Sequence, residues 1–274
     1  MANNAPIGVF DSGVGGLTVV REIMRQSPNE SVIYFGDTAR VPYGSKSQKT
    51  IVTYSRQIAN FLKNQDVKAI VIACNTASAL ALDVIQEEFS IPVIGVVKPG
   101  AKVALNATKN GNIGVIGTEA TINSGIYNKY ITTANPSLKV YEKACPLFVP
   151  LVEEGWINDP VTRMIAKRYL DELFEHNIDT LVLGCTHYPL IRHIIREVCT
   201  DRVNLVNPAY ETARSLIQVL EENDIKSDNE DVGHKFFVSD GAMKFQAFAN
   251  TILPCDVVET KGVNIEQLMD EVRI

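Results

Sequence analysis

The chain has 274 residues, of which 46% are hydrophobic and 21% charged, so it is long enough to bury about three-quarters of its unfolded surface and to form two domains. The composition has no collagen-like, disordered or disulfide-scaffold bias and indicates an ordinary globular protein. The formal net charge of -6 argues against a nucleic-acid-binding protein, which normally carries a basic surface, and favours small molecules as partners.

The cysteines and the N-terminal residues indicate the cellular compartment of the protein. The chain has an odd number of widely spaced cysteines: Cys74, Cys145, Cys185, Cys199 and Cys255. This fits reduced thiols better than a disulfide framework. The start, MANNAPIGVFDSG, lacks the basic residues and apolar stretch of a secretory signal, and no window approaches the roughly 20 apolar residues of a membrane span. We therefore expect a cytoplasmic protein that makes no contact with membranes.

Short apolar runs alternate with helical patterns along almost the whole chain. The runs predict nine strands, in chain order PIGVFD, VIYFG, KAIVIA, VIGVV, NIGVIG, KVY, DTLVLG, VNLVN and KFFVS. This alternation predicts an α/β fold with parallel sheets and helical crossovers. Residues 159–174 show the helical period, with one predicted apolar stripe formed by Val161, Met164, Ile165, Tyr169, Leu170, Leu173 and Phe174.

An internal repeat predicts two domains of similar structure. The segment IGVFDSG from Ile7 resembles IGVIGTE from Ile113, and VKAIVIACNT from Val67 aligns without gaps with IDTLVLGCTH from Ile178. Nearly constant spacing indicates two copies of one α/β unit. Because KFFVSDGAM supplies another strand and helix after the second copy, we predict that residues 1–97 and 208–274 form the first domain and residues 98–207 the second.

The first predicted strand runs into a glycine-rich turn, GVGGLT. It does not fit the dinucleotide fingerprint G-x-G-x-x-G/A, whose third small residue would fall at Thr18. Asp37 stands about where a ribose-binding acid would lie, so nucleotide binding and a simple tight turn both stay open. A carboxylate at the carboxyl end of a parallel strand lies where such folds bind ligands, but it would repel phosphate. We interpret Asp11, at the start of this turn, as an acid-base assistant.

Cys74 and Cys185 occupy equivalent places in the two copies. Each ends a predicted strand and is followed by residues that start helices, so both thiols should lie at helix N-termini. There the helix dipole lowers the pKa of a thiol. The alternative is that both are small buried side chains, although two matched positions favour a chemical role. His187, two residues after Cys185, is open to a structural or a catalytic interpretation.

Several chemistries could use these side chains. A zinc site could draw on Cys74, Cys185, His187 and Asp11, but zinc ligands usually come in close pairs. A cysteine phosphatase needs an arginine soon after its thiol, and a thiol acyl-transfer enzyme needs only one nucleophile. Two-base proton transfer uses both cysteines, one on each side of a bound carbon, and requires neither a metal nor a cofactor.

Five segments together resemble one enzyme family: FDSGVGGLTV, YFGDTARVPYGSKS, ACNTASA, VIGVV and LGCTHYPL. They are similar to the glutamate racemases of the aspartate/glutamate racemase family. The resemblance implies two pseudo-symmetric α/β domains with the active site in the cleft between them. It further implies cofactor-independent interconversion of L- and D-glutamate for peptidoglycan precursors, no bound metal, and a homodimer.

The resemblance also implies roles for individual residues. Cys74 would deprotonate the D isomer with support from Asp11, and Cys185 the L isomer with support from His187. Glu153, with Glu154 beside it, resembles a further acid near the second thiol. The implied substrate contacts are Asp11, Ser12, Tyr43, Gly44, Asn75, Thr76, Thr186 and His187.

Alternatives remain within and outside this chemistry. The same cysteine pair could serve a racemase of aspartate or another small acid, and a two-domain protein could bind an acidic ligand without turning it over. The segment Pro42-Tyr43-Gly44 could be a plain turn. Family members that need a peptidoglycan-precursor activator carry extra sequence before the first strand, so a strand beginning near Ile7 implies an activator-independent enzyme.

Overall fold

The computed structural model describes residues 3–265 and 268, and within them the chain forms two parallel β-sheets covered by helices. The described strands are β1 (Ile7–Asp11), β2 (Val32–Gly36), β3 (Ala69–Ile72), β4 (Val93–Gly95), β5 (Asn112–Gly117), β6 (Lys139–Ala144), β7 (Thr180–Gly184), β8 (Asn204–Val206), β9 (Lys235–Val238) and β10 (Thr260–Gly262). All nine predicted strands are present.

The helices lie between the strands, as crossovers of a parallel sheet require. The α-helices are α1 (Leu17–Gln26), α2 (Gln48–Lys63), α3 (Asn75–Glu88), α4 (Val97–Ala107), α5 (Glu119–Asn123), α6 (Ile126–Ala134), α7 (Phe148–Glu153), α8 (Pro160–Phe174), α9 (Arg192–Cys199), α10 (Pro208–Glu222) and α11 (Ala242–Ile252). Short 3-10 helices cover Tyr43–Ser45, Tyr188–Ile191 and Thr200–Arg202. No described helix has the length and apolar character that crossing a membrane would need.

The order of the strands confirms the internal repeat. The first sheet has the order β10-β9-β2-β1-β3-β4 and the second the order β6-β5-β7-β8, with every pairing parallel. The run β2-β1-β3-β4 therefore has the same order as β6-β5-β7-β8. The predicted fold class, two pseudo-symmetric parallel-sheet α/β domains, is confirmed.

Each sheet is covered on both faces, which explains why its strands are nearly continuous apolar runs. Helices α1, α10 and α11 pack on one face of the first sheet, and α2 and α3 on the other. Helices α7, α8 and α9 cover one face of the second sheet, and α4 and α6 the other. Ligands of such folds bind at the carboxyl ends of the strands, where Asp11, Cys74, Gly117 and Cys185 lie.

The chain returns to the first sheet after it leaves the second, because β9 pairs with β2 and β10 pairs with β9. Strand β10 was not predicted, since its three residues, Thr-Lys-Gly, have no apolar pattern. The exact boundaries at residues 97/98 and 207/208 remain a prediction. Residues 1–2, 266–267 and 269–274 of the predicted first domain lie outside the described residues.

Helix α8 forms where predicted, and most of its predicted apolar stripe faces the core. Asp159 caps it by accepting a hydrogen bond from the backbone N of Val161. Its buried residues are Thr162, Ala166, Leu170 and Leu173, whereas Met164 of the predicted stripe is 65% exposed. Leu170 and Leu173 of the stripe are buried, and Ile165, Tyr169 and Phe174 pack against the same core. Of the stripe, only Val161 and Met164, in the first turns of the helix, are exposed.

Candidate active site

The glycine-rich turn after β1 holds a carboxylate of the protein itself. Asp11 is fully buried, and its Oδ2 accepts hydrogen bonds from the backbone N of Gly13 at 3.2 Å and of Gly16 at 2.9 Å. The Tyr34 hydroxyl donates to the carbonyl of Gly13 at 2.7 Å. Backbone amides that would cradle a phosphate in a nucleotide-binding turn are therefore occupied by Asp11.

Gly15 lets the turn of the second sheet come close. A Cβ atom at Gly15 would lie 2.6 Å from Nδ1 of His187 and would also overlap the Thr186 hydroxyl. That hydroxyl donates to Oδ1 of Asp11 at 3.5 Å. The glycine is required here because its backbone lies against the side chains of Thr186 and His187, not because of an unusual φ angle.

Cys74 ends the first of the two matched segments and is the N-cap residue of α3, as predicted. It is 5% exposed, and its Sγ lies 3.8 Å from the Ser12 hydroxyl, to which it donates. Burial, and secondly the negative charge of Asp11, raise the pKa of Cys74 to about 12. The predicted lowering of this pKa is wrong for this structure, because burial outweighs the effect of the hydrogen bonds with the Ala77 backbone and the Ser12 side chain.

Cys185 follows β7 and is 6% exposed. The predicted position at an α-helix N-terminus is wrong, because a 3-10 helix starts at Tyr188 and α9 only at Arg192. Tyr188 N donates to the Cys185 carbonyl at 3.1 Å and closes the turn. The Sγ atom instead lies 3.9 Å from Nδ1 of His187, so a side chain rather than a helix dipole faces this thiol.

His187 connects Cys185 to a carboxylate. Its Nε2 lies 3.0 Å from Oε1 of Glu153, the last residue of α7, and the imidazole is 3% exposed. Burial lowers the pKa of His187, but its hydrogen bonds to Cys185 and Glu153 have a larger, opposite effect and raise the pKa to about 10. The hydrogen bonds of His187 to Cys185 and Glu153 thus favour its protonated form.

A single cavity brings these groups together at the carboxyl ends of both sheets. It is lined by Ser12, Val41, Pro42, Tyr43, Gly44, Cys74, Asn75, Thr76, Thr118, Val149, Glu153, Cys185, Thr186 and His187. The structure thus places all the predicted site residues on its wall except Asp11, which lies behind it on the backbone amides. The cavity volume is about 20 Å³, roughly the room needed by one water molecule.

A model of the family described as Asp/Glu/Hydantoin racemase matches residues 7–216, which is most of the chain and includes both thiols and the cavity wall. The chain belongs to this family. It is an amino-acid racemase, and racemases are isomerases.

Relatives and solved structures of the family match this chain over nearly its whole length. The glutamate racemase of Geobacter metallireducens is 49% identical over 261 residues, which cover 95% of this chain and 97% of that protein. The crystal structure of glutamate racemase isoform RacE1 from Bacillus anthracis has a TM-score of 0.93 at 41% identity, covering 96% of this chain and 98% of that one. A Francisella tularensis glutamate racemase in complex with D-glutamate has a TM-score of 0.90 at 42% identity, covering 96% and 99%.

The wall of the racemase site contains one threonine that the prediction missed, Thr118. The hydroxyl of Thr76 lies 2.9 Å from that of Thr118 and 3.3 Å from that of Thr121, and the last two are 3.0 Å apart. The repeat offered the signal, because Thr118 follows β5 just as Ser12 follows β1. Val41, in the loop before Tyr43, and Val149, in helix α7, also line the wall, and the sequence gives no comparable signal for either.

Tyr43 of the racemase faces the cavity with its ring but not with its hydroxyl. The hydroxyl donates to Oδ2 of Asp37, which is fully buried. The same carboxylate accepts from Arg40 Nε at 2.7 Å and from the Ser239 hydroxyl at 2.8 Å. Asp37 therefore anchors the turn that carries Tyr43, and the ribose-binding alternative has no support from its surroundings.

The candidate zinc ligands do not form a cluster among the described residues. Within residues 3–265 and 268, no group of three or more His, Cys, Asp and Glu side chains is placed to hold a metal ion. Cys185 and His187 are close, but Cys74 faces Ser12.

Proposed function

We propose that this racemase interconverts L- and D-glutamate by proton transfer between two thiols. The observation that carries the proposal is that Cys74 and Cys185 follow equivalent strands of the two sheets and line the same cavity. A thiolate on one side removes the α-proton and leaves the electron pair on carbon. The thiol on the other side donates its proton to that pair, so the configuration inverts and the two sulfurs exchange protonation states.

The surroundings of the two thiols divide their roles. Burial and the charge of Asp11 raise the pKa of Cys74 and keep it a thiol, whereas the sulfur of Cys185 has the His187 imidazole beside it at 3.9 Å. In this proposal Cys185 removes the α-proton of the L isomer, and Cys74 donates a proton to the opposite face of the α-carbon, which gives the D isomer. In the reverse direction Cys74 must lose its proton first, and the substrate ammonium group supplies a nearby positive charge that favours this.

Neutral donors hold the substrate carboxylates in this proposal. The side chains of Ser12, Asn75, Thr76 and Thr186 line the cavity, and Asn75 begins α3. Hydroxyl, amide and helix N-terminal donors bind carboxylates without a buried cation. Donors fixed on the α-carboxylate also stabilise the negative charge that develops when the α-proton leaves.

Glutamate is the proposed substrate because relatives over nearly the full chain are named glutamate racemases and one solved structure holds D-glutamate. No observation favours aspartate. The product, D-glutamate, would supply peptidoglycan synthesis. Because the mechanism needs two reduced thiols, and all five cysteines are free in the structure, we propose the cytoplasm as the compartment.

The assembly and the regulation of the enzyme are also proposals. We propose domain boundaries at residues 97/98 and 207/208, a homodimer in solution, and turnover without an activator. Light scattering tests the dimer. A rate increase on adding a nucleotide-linked peptidoglycan precursor would contradict activator independence.

The deciding experiment follows L-glutamate in heavy water with purified, metal-stripped protein and no added cofactor. We expect D-glutamate that carries deuterium at the α-carbon, because the returning proton comes from a thiol that has exchanged with solvent. L-Aspartate in a parallel reaction tests the alternative substrate. Binding of glutamate without label or inversion would contradict the proposal and favour a binding protein.

A further inference from the structure

Tyr127 connects the two thiol-bearing turns from behind the cavity wall. It lies in α6, on the second sheet, and is fully buried. Its hydroxyl donates to Oδ1 of Asn75 at 2.7 Å. Asn75 follows Cys74, so a residue of the second sheet holds the first cysteine's neighbour.

The ring of Tyr127 also contacts the residue before Cys185. A Cβ atom at Gly184 would lie 3.3 Å from Cε2 of Tyr127 and 2.7 Å from the carbonyl of Ile116. At Gly100 of α4, a Cβ atom would lie 3.2 Å from the Tyr127 hydroxyl. Two glycines therefore leave the space that the tyrosine fills, and the position of the phenol is fixed on several sides.

The hydrogen bond determines which end of the Asn75 amide can reach a ligand. A protonated phenol that has an acceptor at Oδ1 leaves the two N–H groups of Nδ2 for another partner. Among the described residues Nδ2 has no hydrogen-bond partner, and Asn75 lines the cavity. Burial, and secondly the charge of Cys185, raise the pKa of Tyr127, so the phenol stays a donor.

We propose that Tyr127 is a positioning residue that fixes the Asn75 amide as a donor to a substrate carboxylate. The inference rests on the proposed role of Asn75 as a substrate contact. Without the tyrosine hydroxyl, the amide can rotate and present its oxygen, which repels a carboxylate. Tyr127 would thereby align one side of the substrate while its ring supports the turn of the opposite thiol.

The test is a double-mutant cycle with Tyr127→Phe and Asn75→Ala, measured as KM and kcat for both glutamate isomers. Phenylalanine keeps the ring and removes only the hydroxyl, so the fold should persist. We expect Tyr127→Phe to raise KM by about three- to tenfold, the effect of one lost hydrogen bond, with a smaller change in kcat. In the Asn75→Ala background the same substitution should change KM by less than about twofold.

Tyr130→Phe is the matched control. It removes a phenol hydroxyl from the same helix, and among the described residues that hydroxyl makes no hydrogen bond. It should leave KM unchanged. An unchanged KM in Tyr127→Phe, or an equal effect in both backgrounds, would overturn the inference about Tyr127. An unchanged KM in Asn75→Ala alone would instead contradict the proposed role of Asn75.

Discussion

Gly15 and His187 approach so closely that a Cβ atom on the glycine would lie 2.6 Å from the imidazole Nδ1. The contact joins the turn after β1 to the turn after β7. The same Nδ1 faces the Cys185 sulfur at 3.9 Å. A glycine in the first half of the molecule therefore sets where the imidazole of the second half can lie.

Gly15→Ala should lower kcat/KM by at least about a hundredfold, because the added methyl group displaces His187 or Thr186 by a distance that matters for proton transfer. Gly233→Ala is the control, since a Cβ atom there meets no atom within 4 Å. Steady-state racemisation and the thermal midpoint should be measured for both. Unchanged turnover in Gly15→Ala would mean that the two turns do not need this separation.

Cys74→Ala and Cys185→Ala should each abolish racemisation, with a loss of at least about a thousandfold, because each removes one of the two proton carriers of the proposed mechanism. Cys255→Ala, at a half-buried cysteine away from the cavity, should retain full activity. In heavy water, circular dichroism follows the inversion of unlabelled glutamate, and proton NMR follows exchange as loss of the α-proton signal. Near-normal turnover by either single variant would contradict the two-thiol scheme.

Glu153→Gln should shift the alkaline limit of activity to lower pH. Burial lowers the pKa of His187, while its hydrogen bonds to Cys185 and Glu153 raise it to about 10, so removing the carboxylate lowers that pKa. The stability that the charged pair contributes is complete below the ordinary histidine pKa of about 6.5 and is lost as pH rises through the folded value.

The measurement is kcat/KM from pH 6 to 11, together with unfolding by urea at the two ends of that range. Glu154→Gln, at the exposed neighbour, is the control and should keep the normal profile. A Glu153→Gln profile that coincides with it would show that Glu153 does not act on His187.

Asp37→Asn should both destabilise the protein and raise KM. It removes the charge that pairs with Arg40, whose side chain is 9% exposed, and breaking such a buried pair costs about 3 kcal/mol. The turn carrying Tyr43 loses its anchor at the same time. Glu30→Gln breaks the buried pair with Lys68 and should lower the free energy of unfolding without changing KM, so equal KM values in the two variants would contradict the positioning role of Asp37.

The sheets could be predicted because strands covered on both faces are apolar throughout, and the repeat placed both cysteines in equivalent positions. Local sequence signals were misleading where the structure or the pKa of a residue depends on several neighbouring groups at once. Thr186 and Pro189 suggest a helix directly after Cys185, yet the chain forms a 3-10 turn there. The pKa of Cys74 depends on burial and on Asp11, and neither can be derived from a helix start.

Contacts across the cleft were the other missing information. Tyr127 and Asn75 are far apart in the chain and follow no common pattern, so their hydrogen bond is visible only in three dimensions. Asp37 was noted only as a possible ribose ligand, because the sequence does not show that Tyr43, Arg40 and Ser239 surround it. Thr118 could have been predicted from its alignment with Ser12.

The small volume between the thiols also affects the timing of the reaction. A cavity of about 20 Å³ cannot admit a five-carbon diacid such as the proposed substrate, so we expect the cleft to open and return in each catalytic cycle. The returned arrangement excludes bulk water and strengthens every electrostatic contact around the α-carbon. Opening of the cleft therefore competes with proton transfer as the slowest step, and we expect turnover to fall as solvent viscosity rises.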